Sequence, residues 1–111
     1  MIEIIILNFL KTQLSVPVYL ERPDSPPPQY VYFEKTGSGR RNGGQSSTFA
    51  FQSYADSLYN AALLNQTAKD VIDNLITLDT IGTVKLNSDY KFQDTVTKKH
   101  RYQAVYDIYH Y

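Results

Sequence analysis

The chain has 111 residues and no formal net charge, because eleven basic side chains balance eleven acidic ones. This length is typical of one domain, residues 1–111, which buries about two-thirds of the surface of its unfolded form. A neutral protein has no overall field with which to attract nucleic acid or an anionic membrane, so any electrostatic contact must be local. The absence of cysteine excludes disulfides, thiolate metal sites and a cysteine nucleophile, and it suits a reducing cytosol.

The N-terminal segment, Met1–Leu10, is strongly apolar. Its spacing predicts a helix over residues 2–14, although the β-branched Ile4–Ile6 also allow a strand. Glu3 precedes the apolar run and no basic residue does, which argues against a signal peptide. The run is also shorter than the roughly 20 residues that cross a bilayer, so we expect a soluble protein without a membrane partner.

Proline shapes the next segment. We expect Val16–Leu20 to be extended, because Pro17 disfavours the helical region for the residue before it and suits the start of an edge strand. Glu21–Pro28 then holds four of the five prolines and cannot form a regular ladder strand, since proline has no N–H donor. We expect a stiff connector that leads into a sheet.

The middle of the chain predicts a hairpin. Two aromatic, alternating runs, Gln29–Lys35 and Thr48–Gln52, are typical of paired strands. Between them lies a polar, glycine-rich segment, Thr36–Ser47, whose only charged residues are Arg40 and Arg41. We expect a long hairpin loop with a basic tip, which is a structure suited to contact with another molecule.

A second helix and two further strands complete the predicted fold. Ser53 and Asp56 match a capping box and predict a helix that begins there and extends to about residue 76. Its apolar stripe is formed by Leu58, Ala61, Leu64, Ala68, Val71, Leu75 and Leu78. Gly82 marks a turn before a strand over residues 83–90, and a long last strand follows over residues 101–111. Its predicted core face contains Tyr102, Ala104, Tyr106 and Ile108.

The predicted fold class is therefore α+β. The element order is α-β-β-β-α-β-β, with a mainly antiparallel sheet of about four to five strands and two helices packed on one face.

No pattern of residues predicts an active site. Gly39–Ser46 approaches the phosphate-loop pattern GxxxxGK[ST], but Gln45 replaces the phosphate-binding lysine and a strand follows instead of a helix. The two histidines, His100 and His110, lack the spacing of a zinc site or a catalytic pair and are interpreted as surface residues of a strand. We expect a protein that is not an enzyme and that has no cofactor and no metal.

The aromatic content leaves two interpretations open. The ten tyrosines and five phenylalanines either include a sheet face or edge that a partner covers, or form a plain core with some exposed tyrosines. A second basic run, Lys98–Arg101, is interpreted first as a solvated strand entry. No strand has the aromatic motif of an RNA-recognition sheet.

Several segments together resemble small tail proteins of long-tailed phages that infect low-GC Gram-positive bacteria. The resemblance covers nearly the whole chain and rests on Val16–Glu21, the proline connector, Tyr30–Gly37, Thr48–Ser57, Val84–Tyr90 and Lys99–Asp107. These segments are similar to those of the tail terminator class, also called tail completion or head-to-tail joining proteins. The resemblance implies an α+β subunit that forms a hexameric ring on the end of the tail tube.

The resemblance also implies partners and a location. The ring would bind the last ring of the major tail tube protein, end polymerisation, and offer its other surface to the head connector. The protein would be assembled in the host cytoplasm and lie at the tail end or neck of the virion. The expected interface residues are Tyr30, Tyr32, Lys35, Gly39, Arg40, Arg41, Asn42, Lys98, Lys99 and Arg101.

The role of the basic loop stays open between two contacts. Arg40 and Arg41 would face DNA phosphates in the lumen or pair with acidic residues of the adjoining ring. Two alternative functions remain: a head-side stopper or adaptor of the neck, and a small nucleic-acid-binding domain that uses these two arginines.

Overall fold

The computed structural model describes residues 1–41, 43–96 and 99–111, with the backbone alone at residue 41. In chain order the elements are α1 (Ile2–Gln13), β1 (Val18–Tyr19), β2 (Tyr30–Arg41), β3 (Gly44–Ala55), α2 (Leu58–Asp73), a 3-10 helix (Asn74–Thr77), β4 (Ile81–Lys91) and β5 (His100–His110). The predicted α+β class and the order α-β-β-β-α-β-β are confirmed.

The five strands form one mixed sheet in the order β1-β2-β3-β5-β4. β1 is parallel to β2, with Val18 opposite Val31, and the other three pairings are antiparallel. β3 is the middle strand, since it pairs with β2 on one side and β5 on the other. Among the described residues, no strand pairs with the outer side of β4, or with β2 beyond Tyr32.

Both helices pack on one face of the sheet, which we call the inner face. Strand residues of this face are fully buried, and they include Val31, Phe33, Phe49, Phe51, Ala104 and Ile108. The α1 residues Ile2, Ile6 and Leu10 recur every four positions and pack into the same core, which confirms the predicted helix. α2 adds Leu64, Ala68 and Ile72. The opposite face, which we call the outer face, has no helix on it among the described residues.

The predicted start of the second helix is wrong. β3 continues through Ala55, and the N-cap of α2 is Ser57, whose Oγ accepts a hydrogen bond from the backbone N–H of Asn60 at 3.1 Å. Pairing with β5 and burial of Tyr54, which is 1% exposed, keep the segment around Ser53 in the sheet despite its capping-box pattern. The predicted apolar stripe is right at Ala61, Leu64, Ala68 and Leu75, but Leu58 is exposed, and Ile72 is buried more deeply than Val71.

The predicted long hairpin loop is also wrong. β2 and β3 stay paired to Arg41 opposite Gly44, so the described residues on both sides of Asn42 belong to a β ladder. A register shift between Lys35 and Gly37 is its only irregularity in the described pairs. Gly43, in the turn, has a φ of 85°, which glycine adopts without strain. The basic residues therefore lie on an edge strand instead of a free loop.

Tyr109 fills the outer face at this end of the sheet. A Cβ added to Gly82 would lie 2.6 Å from Tyr109 Cδ1, and one added to Gly44 would contact the phenol oxygen. Both glycines therefore provide the space into which the ring packs.

No helix among the described residues is long and apolar enough to cross a membrane.

Candidate functional site: an arginine cluster on the outer face

The outer face carries a group of polar and aromatic side chains at the end where β2 begins. We call this group the arginine cluster; it comprises Arg22, Tyr30, Tyr32, Gln52, Tyr54, Lys99 and Arg101. Strand pairing places Tyr30 opposite Tyr54, and Tyr54 opposite Arg101. Because side chains alternate along a strand, these residues share the outer face while their neighbours enter the core.

Two stacked tyrosines form the floor of the cluster. The rings of Tyr30 and Tyr54 are nearly parallel, with an interplanar angle of 7° and centroids 4.5 Å apart. The guanidinium of Arg101 lies 5.5 Å from the ring of Tyr54 and 4.0 Å from that of Phe92. Tyr30 and Tyr54 are both buried although no helix covers them.

Arg22, from the proline-rich connector, reaches over β2 onto this floor. Its Nη1 donates to Tyr54 Oη at 2.7 Å and its Nη2 donates to Gln52 Oε1 at 3.2 Å. The guanidinium carbon lies 4.5 Å from the ring centroid of Tyr32. The hydrogen bond to Tyr54 raises the pKa of Arg22. The connector thus helps to cover the tyrosines, and the arginine itself stays exposed.

Arg101 approaches the same two oxygens from β5. Its Nη1 donates to Tyr54 Oη at 2.8 Å and to Gln52 Oε1 at 3.4 Å, and its Nε donates to the Phe92 carbonyl at 2.6 Å. Arg101 is only 8% exposed, so the interpretation of this residue as part of a solvated strand entry is wrong. Two guanidiniums therefore share two uncharged acceptors.

A directed chain of hydrogen bonds extends from these acceptors across the sheet. Tyr54 donates to Gln52 Oε1 at 3.2 Å, and Gln52 Nε2 donates to Gln103 Oε1 at 2.9 Å. Gln103 Nε2 then donates to Tyr90 Oη at 2.5 Å. The chain links β3, β5 and β4, and it satisfies polar groups that burial would otherwise penalise.

The cluster carries more positive than negative charge. Lys99 Nζ lies 5.8 Å from the ring centroid of Tyr30, which adds a third cation. Among the described residues, the carboxylate within 4 Å of either guanidinium is that of Asp94, 3.9 Å from Arg101 Nη1. Burial raises the pKa of Tyr30 to about 12 and raises that of Tyr32, so both phenols are neutral at physiological pH.

Beyond the cluster, the outer face carries charges of both signs, with Lys85 opposite Asp107. Glu34 accepts a hydrogen bond from the Tyr32 hydroxyl at 3.1 Å. Asp107 accepts from Asn87 at 3.0 Å and from Thr48 at 2.7 Å, and these hydrogen bonds lower its pKa. Glu34 therefore places a negative charge directly beside the cluster on β2.

The structure divides the expected interface residues into two groups. Tyr30, Tyr32, Lys99 and Arg101 come together in the arginine cluster, where the two tyrosines are covered by their own chain. Lys35, Gly39, Arg40 and Arg41 lie further along β2, towards the hairpin turn. Asn42 and Lys98 lie outside the described residues.

Lys35 has an acidic partner within the subunit. Its Nζ lies 3.5 Å from Glu3 Oε2 of α1.

Sequence reasoning missed three members of the cluster: Arg22, Gln52 and Tyr54. Gln52 ends the predicted partner strand and lies opposite Tyr32, so cross-strand pairing could have revealed it, but Tyr54 was assigned to the predicted helix that began at Ser53. Arg22 gave no such signal, because the path of the proline connector over the sheet is a tertiary property.

The interpretation of His110 as a surface residue is wrong. His110 is 6% exposed, and its Nε2 lies 2.9 Å from Ser47 Oγ. Burial lowers the pKa of His110. Ser47 is 1% exposed, so its hydroxyl is closed to a substrate in this conformation. An open pocket of 330 Å³ beside His110 is lined by residues that include Glu3, Lys35 and Thr80.

The residues that the structure describes contain no group of three His, Cys, Asp or Glu side chains arranged to hold a metal ion. No protein-family model matches the chain, and no curated protein matches its sequence.

Proposed function

We propose that this protein is a structural subunit that forms a ring on the end of a phage tail tube. The ring ends tube polymerisation and offers its second surface to the head connector. The resemblance of the sequence to tail terminator proteins supports this proposal, and the observation that carries it is the presence of two unlike open edges on one sheet.

The first open edge is the outer side of β4, and the second is β2 beyond Tyr32. Unpaired edge strands present N–H and C=O groups that pair with a strand of another chain. Because the two edges lie on opposite sides of the subunit and differ in sequence, contact between them joins unlike surfaces. Such heterologous contacts close into a ring when a whole number of subunits, each rotated by the same angle, completes one full turn.

Both edges also have features that limit indiscriminate pairing. β4 has register irregularities between Ile81 and Thr83 and between Leu86 and Ser88. The open part of β2 carries Lys35 and Arg40, both exposed. Bulges and edge charges are common protections against aggregation, and they leave a specific partner free to pair.

The first experiment adds the purified protein to polymerising subunits of its cognate tail tube protein. We expect electron micrographs to show a ring on one tube end and tubes that stop elongating. Unchanged tube length would contradict the proposal and would favour a neck stopper. Oligonucleotide binding by a protein that stays monomeric, with and without tubes, would favour the nucleic-acid-binding alternative.

The second experiment tests the edges and exploits the absence of cysteine from the chain. Ser38→Cys on β2 and Asn87→Cys on β4, combined in one chain, are treated with a bismaleimide. We expect a ladder of cross-linked oligomers that stops at the ring size, whereas each single variant gives dimers at most. The matched control is Lys11→Cys with Thr67→Cys, two exposed helix positions. A ladder in the control, or none in the edge variant, would contradict edge contact.

A further inference from the structure

The arginine cluster brings two positively charged side chains together on the outer face. Arg22 Nη1 and Arg101 Nη1 both lie within 2.8 Å of Tyr54 Oη, so two like charges converge on one neutral oxygen. Two guanidiniums that contact the same oxygen repel each other, particularly because that of Arg101 is buried. The Asp94 carboxylate lies 3.9 Å from Arg101 Nη1, on the side of the buried arginine, and a carboxylate beside the exposed Arg22 would further offset this repulsion.

We propose that the arginine cluster is a receptor for a carboxylate of a protein partner that presents closely spaced aspartate or glutamate residues. The exposed Arg22 contacts the carboxylate, and positive charge is added by the buried Arg101 and by Lys99, whose Nζ lies 5.8 Å from the Tyr30 ring centroid. This contact is separate from the strand edges and does not depend on the proposed ring.

The geometry of Arg22 suits a carboxylate. A guanidinium has five N–H donors in a planar fork, and its contacts with the described residues use one donor on Nη1 and one on Nη2. The Tyr32 ring, 4.5 Å from the guanidinium carbon, holds the fork from one side. A carboxylate can therefore bind to the remaining donors while the hydrogen bonds to Tyr54 and Gln52 persist.

The charges around the cluster favour a protein partner over nucleic acid. A nucleic-acid backbone presents a phosphate at every nucleotide and requires a continuous series of cations. Here Glu34 is exposed and accepts a hydrogen bond from Tyr32, a member of the cluster, whereas Asp107 lies farther along the sheet opposite Lys85. The Glu34 carboxylate would repel a neighbouring phosphate but leaves room for a single acidic side chain at Arg22.

The test uses the intact protein and an N-acetylated hexaglutamate peptide as the probe. The chain has four arginines, so the side-chain Nε–H signals of Arg22 and Arg101 can be assigned by single Arg→Lys variants. We expect the peptide to shift both signals in a saturable manner. Arg22→Gln should weaken binding by about threefold to tenfold, the loss expected when an exposed charged hydrogen-bond partner is removed.

Matched controls separate this site from general charge attraction. Lys85→Gln removes an exposed cation of β4 and should leave affinity unchanged, and a hexaglutamine peptide should not bind. Equal weakening by Lys85→Gln, binding of hexaglutamine, or no shift at the highest soluble peptide concentration would overturn the proposal. Tighter binding of a single-stranded oligothymidylate through the same two arginines would overturn it as well, in favour of nucleic acid.

Discussion

Removal of one hydroxyl group, in the variant Tyr54→Phe, tests the structural role of the arginine cluster. Phenylalanine keeps the ring that stacks on Tyr30 at 4.5 Å. It removes one of the two oxygens that accept from both Arg22 and Arg101, and it leaves Gln52 Oε1 as the other. The variant therefore separates hydrogen bonding from packing.

The expected loss follows from the burial of the two donors. Arg101 is 8% exposed, so water does not readily replace the lost acceptor, and a hydrogen bond to a charged group contributes about 1.5–3 kcal/mol. Arg22 is exposed, and its share is about 0.5 kcal/mol or less. We expect Tyr54→Phe to lower the free energy of unfolding by about 2–3 kcal/mol.

The matched control is Tyr30→Phe, the same chemical change in the same ring stack. Among the described residues no hydrogen bond to the Tyr30 hydroxyl is present, so we expect a loss of less than about 0.5 kcal/mol. The assay is urea unfolding followed by far-ultraviolet circular dichroism, with both midpoint and slope compared. A loss for Tyr54→Phe below about 1 kcal/mol, or no larger than that for Tyr30→Phe, would refute this account of the cluster.

Three further predictions concern the opposite end of the sheet. Burial holds the pKa of His110 below its usual 6.5, so on acidification the imidazole of the unfolded chain is protonated before that of the folded protein. The contribution of neutral His110 to the free energy of unfolding is therefore complete above pH 6.5 and is lost as the pH falls through the lower pKa of the folded state. His110→Gln should remove this part of the pH dependence, as measured by urea unfolding at a series of pH values. Gly82→Ala places a Cβ 2.6 Å from Tyr109 Cδ1 and should cost about 1–3 kcal/mol, and a double variant with Tyr109→Ala should lose less than the sum of the single losses. Arg40→Ala combined with Arg41→Ala should leave the unfolding midpoint unchanged and reduce capping of tail tubes; loss of cooperative unfolding would contradict this.

Segments with a periodic pattern of apolar residues were predicted correctly, because the spacing of the buried side chains reveals the type of element. The four-residue spacing of Ile2, Ile6 and Leu10 and the alternation of Ala104, Tyr106 and Ile108 follow from one buried face each. The segment Thr36–Ser47 has no such alternation, because residues 36–40 of β2 are all exposed. This part of β2 is a strand only because its backbone pairs with β3. Its glycine and serine residues do not predict such pairing.

The candidate site was predicted only in part. Tyr30, Tyr32 and Arg101 were found as aromatic or basic residues of strands. Their convergence with Arg22 depends on the route of the connector over the outer face, which local sequence does not determine. Burial of Arg101 was missed because charged runs are usually solvated, whereas here the rings of Phe92 and Tyr54 pack against its guanidinium.

The position of β5 has a consequence for how the chain folds. β5 follows every other strand in chain order, yet it lies between β3 and β4. The hairpin of β2 and β3 can form early from neighbouring segments, but Phe49 gains its partner Tyr106 only after β5 has been synthesised. Until then β3 keeps an apolar, unpaired edge. The nascent protein therefore passes through a stage in which its central strand is open to other chains, and docking of β5 closes that edge.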